Sequence, residues 1–416
     1  MSRKTKHRHK LLKRLLVGVA LIIGAIVVLA VVVTVQVAVQ QHALQPFYDT
    51  SSVSPNGKPG QLIRTEPLNV TLSAGTAERV LYRTQRADGS STFSSGMVFI
   101  PNNTNDGSPR PVVAWAHGTL GLGDQCAPSR TANPVANIAW VNSMLAKGWV
   151  VTATDYAGFG TAGTQGYLVG GDEAHDVLNS IRAAQQIPAA QAGTQYAIWG
   201  HSQGGNSALF TASETGRYAP ELHLVGTVAS APAAELIPLL NEQYGTVADW
   251  VIGPLVATSW PAANPSLHPG DVLTPMGLKT YQSIADQCIL PATLEGLARS
   301  VLGQTFFTKN LTDVPAWQTM AEQQSAPQLT PGQPLMVVES KADQVVLPNT
   351  TALYIQQACK AGVDPATLWL DKAAHQQIPA QSATQVISWI SDRFARKAPS
   401  SSCDQPLPVK PAAPSN

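Results

Sequence analysis

The residues with the clearest catalytic potential lie in the segment QYAIWGHSQGGNSALF, residues 195–210. Its centre, GHSQG from Gly200 to Gly204, matches the G-x-S-x-G pattern, in which a serine sits on a sharp turn between a strand and a helix. YAIW before the turn is typical of a buried strand, and GGNSAL after it is typical of a helix start. Because the turn exposes the hydroxyl, we predict that Ser202 is a catalytic nucleophile.

A serine hydroxyl is a weak nucleophile, so it needs a base, and the base needs a carboxylate that orients it. In folds with this turn, the chain order is serine, then acid, then histidine. Of the nine histidines, three follow His201: His223, His268 and His375. His223 begins a strand and His268 lies in a long insertion, whereas His375 follows the last predicted strand in a loop. We therefore predict that His375 is the base.

The acid should follow the end of a strand between the serine and the base. Asp343 lies in a turn directly after the apolar run LMVVE, which places it at that position. Glu339, at the end of the same run, is the alternative. Asp364 precedes a proline and the next strand, and Asp371 is only four residues from the predicted base. We predict Asp343 as the acid.

An oxyanion needs backbone N–H donors that point at the developing charge. One predicted donor is the N–H of Gln203, which follows the nucleophile. The second should come from the glycine-rich loop after the strand PVVAWA, where Gly118 and Thr119 are both candidates. We expect His117, which precedes the serine, to make structural hydrogen bonds.

The glycines of GFGTAG, residues 158–163, form a second motif that could bind a dinucleotide. Such a motif requires a helix to begin at once and an acidic residue about 20 residues later on the next strand. Here the loop continues to residue 171, so a nucleotide site is disfavoured. We expect Asp155 and Tyr156, just before these glycines, to line or brace the mouth of the active site. We expect no metal and no organic cofactor.

The elements that would position these residues alternate between short apolar strands and amphipathic helices, one of which is predicted over Asn137–Lys147. This alternation predicts a mostly parallel, doubly wound sheet built from residues 61–230 and 333–397. Residues 231–332 do not continue this alternation of strands and helices. Their sequence is apolar, contains prolines and is typical of helices. We interpret this insertion as a helical cap over the carboxyl ends of the strands, where ligands bind in open α/β sheets.

The N-terminus has a different character from the rest of the chain. Residues 1–14 carry seven Lys and Arg and no acid, and residues 15–35 are 21 residues without a charge. A bilayer core requires roughly 20 such residues, which is longer than the apolar part of a signal peptide. We predict a cytoplasmic basic arm (1–14), a transmembrane signal anchor (15–37) and a linker (38–60), with a cleaved signal peptide as the alternative. The charge distribution then orients the rest of the chain outside the cytoplasm.

Four cysteines agree with an extracytoplasmic domain, because an even number suggests disulfides in that compartment. They are Cys126, Cys288, Cys359 and Cys403. Their spacing alone leaves three connectivities open and does not resemble a zinc site. The tail, residues 398–416, is rich in Pro and Ser and is predicted to be extended and to be pinned only if Cys403 is bridged.

Several longer motifs resemble the secretory lipases of the yeast lipase A type and their actinobacterial relatives. The matching stretches are PFYD (46–49), AHGTLGLGDQCAPS (116–129), TDYAGFG (154–160), GHSQGG (200–205), DQVV (343–346) and AAHQQ (373–377). The resemblance covers about residues 46–405. It implies Ser202, Asp343 and His375 as catalytic residues, and disulfides Cys126–Cys288 and Cys359–Cys403. The anchor departs from the family, in which a cleaved signal is usual, and the cap is too divergent for substrate contacts to be transferred.

Together these features predict an α/β-hydrolase with an inserted helical cap, preceded by one transmembrane helix. The expected reaction is hydrolysis of esters with apolar acyl groups through an acyl-enzyme, by a lipase or an esterase. An acyltransferase with the same triad and a non-catalytic hydrolase-like surface protein are the alternatives. We expect a monomer that acts on an ester or lipid, contacts the membrane through its N-terminal helix and binds no nucleic acid.

Overall fold

The fold is described by a computed structural model that covers residues 24, 28, 32, 35–103 and 107–414. The chain divides into two compact units, Met1–Phe47 and Tyr48–Asn416. The predicted basic arm 1–14 lies outside the described residues, and so does most of the predicted transmembrane segment 15–37. Among the residues that are described, no helix is both long enough and apolar enough to span a bilayer.

The first unit is helical over residues 35–47. The segment predicted as a linker, 38–60, is therefore helical in its first part. Its sequence AVQQHALQ is rich in Ala, Leu and Gln, which are good helix formers, and this explains the difference. The second unit, from Tyr48 onward, contains the sheet and the cap.

One nine-stranded sheet organises the second unit within the described residues. Its strands are β1 (Leu62–Pro67), β2 (Gly75–Gln85), β3 (Ser91–Pro101), β4 (Arg110–Ala116), β5 (Val150–Thr154), β6 (Ala192–His201), β7 (His223–Ser230), β8 (Leu335–Ser340) and β9 (Ala366–Leu370). The spatial order is β1-β2-β3-β5-β4-β6-β7-β8-β9. The first three strands pair antiparallel, and β5, β4 and β6 to β9 run parallel. The mostly parallel sheet is confirmed.

The helices of the core cover both faces of this sheet. They are α1 (Val141–Leu145), α2 (Gly170–Ala184), α3 (Gln203–Tyr218), α10 (Pro348–Lys360) and α11 (Ile378–Phe394), numbered along the chain with α4–α9 of the insertion. Val113 and Trp115 of β4 pack in one cluster with α1 and α11. Val112 and Ala114 face the other side, against α2 and α3. The alternation along one strand thus produces the doubly wound arrangement.

The predicted helix Asn137–Lys147 is shorter in the structure. A single 3₁₀ turn, Ala136–Ile138, precedes the five-residue helix α1. Gly148 follows with a φ of 80°, a conformation that ends a helix readily at glycine. The observed helix is shorter than the predicted one because a 3₁₀ turn precedes it and a glycine at positive φ follows it. The apolar pattern of the sequence does not reveal either of these turns.

The insertion between β7 and β8 is helical, as its sequence predicts. Its helices are α4 (Leu236–Gln243), α5 (Ala248–Val251), α6 (Gly253–Ala263), α7 (Pro275–Ala285), α8 (Ile289–Val301) and α9 (Pro315–Gln324). They enclose their own apolar cluster, in which Trp250, Trp260, Trp317 and Phe306 are fully buried. Tyr167, in the loop after β5, belongs to the same cluster and joins the cap to the loops at the carboxyl edge of the sheet.

Both predicted disulfides are confirmed. Cys126–Cys288 joins the loop after β4 to the residue that precedes α8 of the cap. Cys359–Cys403 fastens the C-terminal tail to α10. The first bond spans 162 residues of sequence, so it links the cap directly to the region of the predicted oxyanion loop.

Candidate active site

Ser202 occupies the sharp turn between β6, which ends at His201, and α3, which begins at Gln203. Its φ of 59° and ψ of −119° form a strained conformation for a residue with a side chain. Ser202 N donates to the carbonyl of Ser230 at the end of β7 (2.9 Å), and Ala233 N donates to the carbonyl of Ser202 (3.2 Å). The turn is therefore held by the neighbouring strand as well as by its own sequence.

The glycines on each side of Ser202 are required by the close approach of the backbone. A Cβ on Gly200 would lie 1.8 Å from the carbonyl oxygen of Gly204. A Cβ on Gly204 would lie 2.0 Å from the carbonyl oxygen of Ala116 at the end of β4. No side-chain rotation could relieve a clash with backbone, so the spacing of the two glycines follows from the packing of this turn.

His375 and Asp343 form a close polar pair in the site. His375 Nδ1 lies 2.6 Å from Asp343 Oδ2, and the two residues are 5% and 3% exposed. Asp343 Oδ1 accepts hydrogen bonds from the backbone N–H groups of Val345 (2.8 Å) and Val346 (3.2 Å). A carboxylate with these donors orients Nδ1–H of the imidazole and leaves Nε2 as the basic nitrogen.

The turn that carries Asp343 and the loop that carries His375 are bonded to each other. Ser340 Oγ donates to the carbonyl of Ala373 (2.7 Å), and Lys341 N donates to the carbonyl of Leu370 (2.8 Å). The two neighbouring parallel strands β8 and β9 bring these segments to the same edge of the sheet. The geometry of the acid–base pair is thus fixed by backbone bonds beside it.

His201 connects the serine turn to the base loop, a role that the sequence reasoning missed. Its Nε2 donates to the carbonyl of His375 (3.1 Å), and the two imidazole rings lie 4.6 Å apart. Burial first, and then the neighbouring His375, lower the pKa of His201 well below its ordinary value. His201 is therefore neutral and carries its proton on Nε2. The sequence signal that could have indicated this role is the position of His201 directly before Ser202 in the motif.

The alternative acids do not contact His375. Glu339 lies in β8, where its Oε1 accepts from Ser340 N (2.6 Å) and its Oε2 accepts from Thr351 Oγ1 (2.6 Å). Asp371 forms an ion pair with Lys341 at the surface. Asp364 accepts from the hydroxyl of Ser401 in the tail (3.3 Å). Among the candidate acids, the structure brings Asp343 to the base.

The loop after β4 lies directly over the serine turn. A Cβ on Gly118 would be 3.3 Å from Ser202 Cβ and 3.1 Å from the carbonyl oxygen of His201. Thr119 Oγ1 is 2.9 Å from Tyr167 Oη, in a buried contact with the loop after β5. Gly118 is therefore near Ser202, Thr119 follows it in the same loop, and the choice between their N–H groups stays open.

The cap holds this same loop from above. Ile289 N donates to the carbonyl of Leu120, and Leu122 N donates to the carbonyl of Ala285, both at 2.8 Å. A Cβ on Gly121 would lie 2.0 Å from the carbonyl oxygen of Gln287. With the disulfide to Cys288, these contacts make the predicted oxyanion loop a shared element of core and cap.

Asp155 and Tyr156 lie beneath the site and are almost fully buried, so they do not line its mouth. Asp155 Oδ1 accepts from Ser129 N (2.9 Å), and its Oδ2 accepts from Ser95 Oγ (2.7 Å) and from the hydroxyl of Ser129. Burial raises the pKa of Asp155. Tyr156 Oη donates to the carbonyl of His117 (3.3 Å), so this pair braces the oxyanion loop from below.

Gln203, the first predicted oxyanion donor, is fixed through its side chain. Gln203 Nε2 donates to Glu173 Oε1 (2.6 Å), which also accepts from Leu168 N (3.0 Å). Burial raises the pKa of Glu173 well above its ordinary value. Within the described residues, no group of three or more His, Cys, Asp or Glu side chains is arranged to hold a metal ion.

Comparisons with known proteins agree on one family. The sequence profile described as "Secretory lipase" matches residues 125–402. The chain is 24% identical over 383 residues to a protein of Mycobacterium tuberculosis named "Probable inactive lipase", covering 85% of this chain and 82% of that one. It is 25% identical over 388 residues to the secreted triacylglycerol lipase LIP4 of Malassezia globosa, covering 86% and 83%.

The fold is similar to that of a solved structure, lipase A of Candida antarctica. The TM-score is 0.70 at 17% sequence identity, and the alignment covers 88% of this chain and 90% of that one. At this identity the similarity is evidence for the fold, which is an α/β-hydrolase-like arrangement of a mostly parallel sheet and helices.

Proposed function

The chain belongs to the secretory lipase family, and from this premise we propose that it is an active carboxylic ester hydrolase with a Ser-Asp-His triad. The observation that carries the proposal is the 2.6 Å contact between His375 Nδ1 and Asp343 Oδ2. The carbonyl of His375 is bonded to His201, the neighbour of Ser202, and Ser202 has a positive φ. The three residue types and their order along the chain are those of a nucleophile, its orienting acid and its base.

In the proposed reaction, Ser202 Oγ attacks the ester carbonyl carbon while His375 Nε2 takes the hydroxyl proton. The tetrahedral oxyanion accepts hydrogen bonds from Gln203 N–H and from one N–H of residues 118–119. The intermediate collapses to an acyl-enzyme, and the departing alcohol leaves with the proton from His375. Water then attacks the acyl-enzyme by the same route, which releases the acid and restores Ser202.

The substrate we propose is an ester with an apolar acyl group. The apolar cluster of the cap includes Val346, whose backbone N–H binds Asp343, and Tyr167, which contacts the oxyanion loop. Apolar side chains thus reach the edge of the site from the cap. A charged acyl group would lose its hydration there without gaining a partner.

A second candidate is a lipase-like protein without activity, because one relative is named as an inactive lipase. The present chain retains Ser202, Asp343 and His375, and this favours activity. A fluorophosphonate probe distinguishes the two directly, because it labels an activated serine. We expect labelling of the wild type and none of Ser202→Ala. An unlabelled, folded wild type would favour the inactive alternative.

Hydrolysis of a series of 4-nitrophenyl esters would test the substrate class. We expect kcat/KM to rise with acyl length while the esters are monomeric, because each methylene buried from water contributes about 0.8 kcal/mol. A rate that jumps when the substrate aggregates would indicate a lipase, and a rate that saturates smoothly would indicate an esterase. A rate independent of acyl length would contradict the apolar acyl site.

We also propose that residues 15–37 anchor the catalytic unit to the outer face of a membrane as a single helix, and that the protein acts as a monomer. The support is the 21-residue uncharged run after seven cations. The expected result is a full-length chain in the membrane fraction, extracted by detergent as a monomer. A shorter chain free in the medium would indicate cleavage and secretion instead.

A further inference from the structure

The loop after β5 is bonded toward both groups that are proposed to bind the oxyanion. Tyr167 Oη lies 2.9 Å from Thr119 Oγ1, in a buried contact with the predicted oxyanion loop. The next residue, Leu168, donates its N–H to Glu173 Oε1 (3.0 Å). The same oxygen accepts a hydrogen bond from Gln203 Nε2 (2.6 Å). Two consecutive residues of one loop therefore connect, on one side and the other, to the elements that carry the proposed oxyanion donors.

The cap holds both ends of this segment, residues 165–170. Ser259 Oγ on α6 donates to the carbonyl of Gln165 (2.7 Å). Gly170 N donates to Gln324 Oε1 at the end of α9 (2.9 Å). The apolar side chains between these two contacts belong to the apolar cluster of the cap. The segment is thus fastened to the cap while its centre is bonded toward the candidate active site.

The backbone of Leu168 is an independent sign that the geometry of this segment is specified. Its φ is 50°, in the left-handed region that a residue with a side chain rarely adopts. Such a conformation persists where the surrounding contacts determine it, and it clusters at functional sites. Here those contacts are the bond to Glu173 on one side and burial of the Leu168 side chain in the cap cluster on the other.

We propose that Tyr167 and Glu173 are positioning residues that fix the two proposed groups of oxyanion donors relative to each other and couple their placement to the cap. This inference rests on the proposed function of the triad. Glu173 holds Gln203 at the start of α3, and Tyr167 holds Thr119 in the predicted oxyanion loop. Because a donor stabilises the oxyanion only from the correct distance, a loosened donor lowers the rate of the chemical step. Both side chains act through the residues that they hold.

A double-mutant cycle tests the contact with the predicted oxyanion loop. Tyr167→Phe and Thr119→Val each remove one hydroxyl of the pair and keep every backbone N–H. We expect each to lower kcat about tenfold with KM unchanged, because the loop keeps its donor but loses its fixed position. The double variant should be no slower than either single variant, since all three lack the same bond. Losses that multiply in the double variant would overturn the role of this bond.

Tyr196→Phe is the matched control for the loss of a buried tyrosine hydroxyl. Tyr196 Oη lies 2.5 Å from Thr215 Oγ1, and this pair joins β6 to the C-terminal part of α3, at the other end of that helix from the serine turn. Its removal should lower the thermal unfolding midpoint as Tyr167→Phe does. It should leave kcat within about twofold of the wild type. A loss of kcat as large as that of Tyr167→Phe would overturn the inference.

A conservative and a disruptive substitution test the Glu173 carboxyl. Glu173→Gln keeps Oε1 as an acceptor for Gln203 Nε2 and Leu168 N, so it should retain most of kcat. Glu173→Leu removes the acceptor and should lower kcat about tenfold with KM unchanged. Gln203→Met, which removes the donor and keeps the backbone N–H, should show the same loss without leaving Leu168 N unpaired. The inference is overturned if Gln203→Met has the kcat of the wild type, or if Glu173→Gln is as slow as Glu173→Leu.

The coupling to the cap is tested at Ser259, outside the candidate active site. Ser259→Ala removes the bond to the carbonyl of Gln165 and should lower kcat about threefold with KM unchanged, because one of several contacts that hold the segment is lost. Thr258→Val is the control, since Thr258 Oγ1 donates to the carbonyl of Pro254 within the same helix (2.8 Å). It should have the kcat of the wild type. Equal kcat values for the two variants would overturn the coupling to the cap.

Hydrogen exchange tests the placement of the predicted oxyanion loop separately from activity. In Tyr167→Phe, the backbone amides of residues 117–123 should exchange with deuterium faster than in the wild type, as mass spectrometry of their peptides would measure. Those of residues 371–377, around His375, should exchange at the wild-type rate. Unchanged exchange at residues 117–123 would overturn the inference even if the protein proved inactive. A folded wild type that fluorophosphonate does not label would instead count against the proposed function.

Discussion

The loops of the candidate active site and the cap are held together by different forces. The candidate-site loops, residues 117–123, 200–205, 341–346 and 371–377, place buried polar groups by short hydrogen bonds and by glycines that allow backbone to touch backbone. The cap, residues 231–332, is held by an apolar cluster around four aromatic side chains. Its helix α8 also leaves apolar side chains in solvent, among them Leu290, Leu294 and Val301.

This difference explains what each region can tolerate. A loop fixed by hydrogen bonds and backbone contact has one geometry, so a small change near it should be felt strongly. An apolar cluster accommodates several arrangements of similar volume, so the cap can diverge in sequence while it keeps its helices. The two regions meet at the oxyanion loop, where backbone hydrogen bonds and a disulfide replace apolar packing.

The largest effect should come from removing the proposed base. His375→Ala should lower kcat/KM by about 10⁴- to 10⁶-fold, because Ser202 then has no group to accept its proton. His223→Ala is the control, since that ring is exposed and contacts the hydroxyl of Thr194. Ester hydrolysis by both variants would be measured together with the thermal unfolding midpoint. Equal rates for the two would refute the assigned base.

Adding a single methyl group to the serine turn should have the next largest effect, and this effect should be on the stability of the fold. Gly204→Ala places a Cβ 2.0 Å from a backbone carbonyl, so it should destabilise the protein by more than about 4 kcal/mol. Gly216, on the same helix α3, has nothing within 4 Å of its Cβ position. Gly216→Ala should therefore stabilise the protein by about 0.4–1 kcal/mol. Denaturant unfolding of both variants would measure the contrast, which vanishes if the turn can relax.

Within the cap, burial should decide the outcome. Trp260 is fully buried near Trp317, and Trp260→Ala should cost about 3–5 kcal/mol. Leu294 is 60% exposed on α8, and Leu294→Ser should change stability by no more than about 0.5 kcal/mol. Urea unfolding monitored by tryptophan fluorescence would compare the two. A large loss for Leu294→Ser would mean that the exposed face of α8 is covered in the folded protein.

Much of the core could be predicted because short stretches of sequence contain the patterns that specify its strands and turns. Strands such as β4 combine a period of two with β-branched residues, and the nucleophile turn has its own sequence pattern. Asp343 and His375 are predicted as acid and base because chain order and strand ends restrict the choice. The pairing of the cysteines came from the family resemblance, since spacing alone allowed three connectivities.

Other features depend on contacts between distant segments, which the sequence pattern does not contain. His201 reaches a carbonyl 174 residues away. Asp155, expected to line or brace the mouth of the active site, is buried and accepts hydrogen bonds from hydroxyls of two other segments. The polar composition of residues 38–60 indicates a linker, whereas the Ala, Leu and Gln residues at its start form a helix. The arrangement of the cap helices follows from packing and could not be read from periodicity.

The last expected effect is a dependence of stability on pH, which distinguishes buried carboxyls of the two regions and is small over any single half-unit interval. Burial raises the pKa of Asp176 on α2, in the core, to about 7, and that of Asp249 on α5 of the cap to about 6. A raised pKa means that the folded state binds more protons, so stability from these groups falls as pH rises from about 4 to the folded pKa. Asp176→Asn should therefore gain stability relative to the wild type by up to about 1.4 kcal/mol per pH unit, until pH 7. For Asp249→Asn the gain should end near pH 6, and unfolding free energies at half-unit pH intervals would resolve the two limits. Coinciding limits would mean that burial raises the pKa of Asp176 and the pKa of Asp249 to the same value.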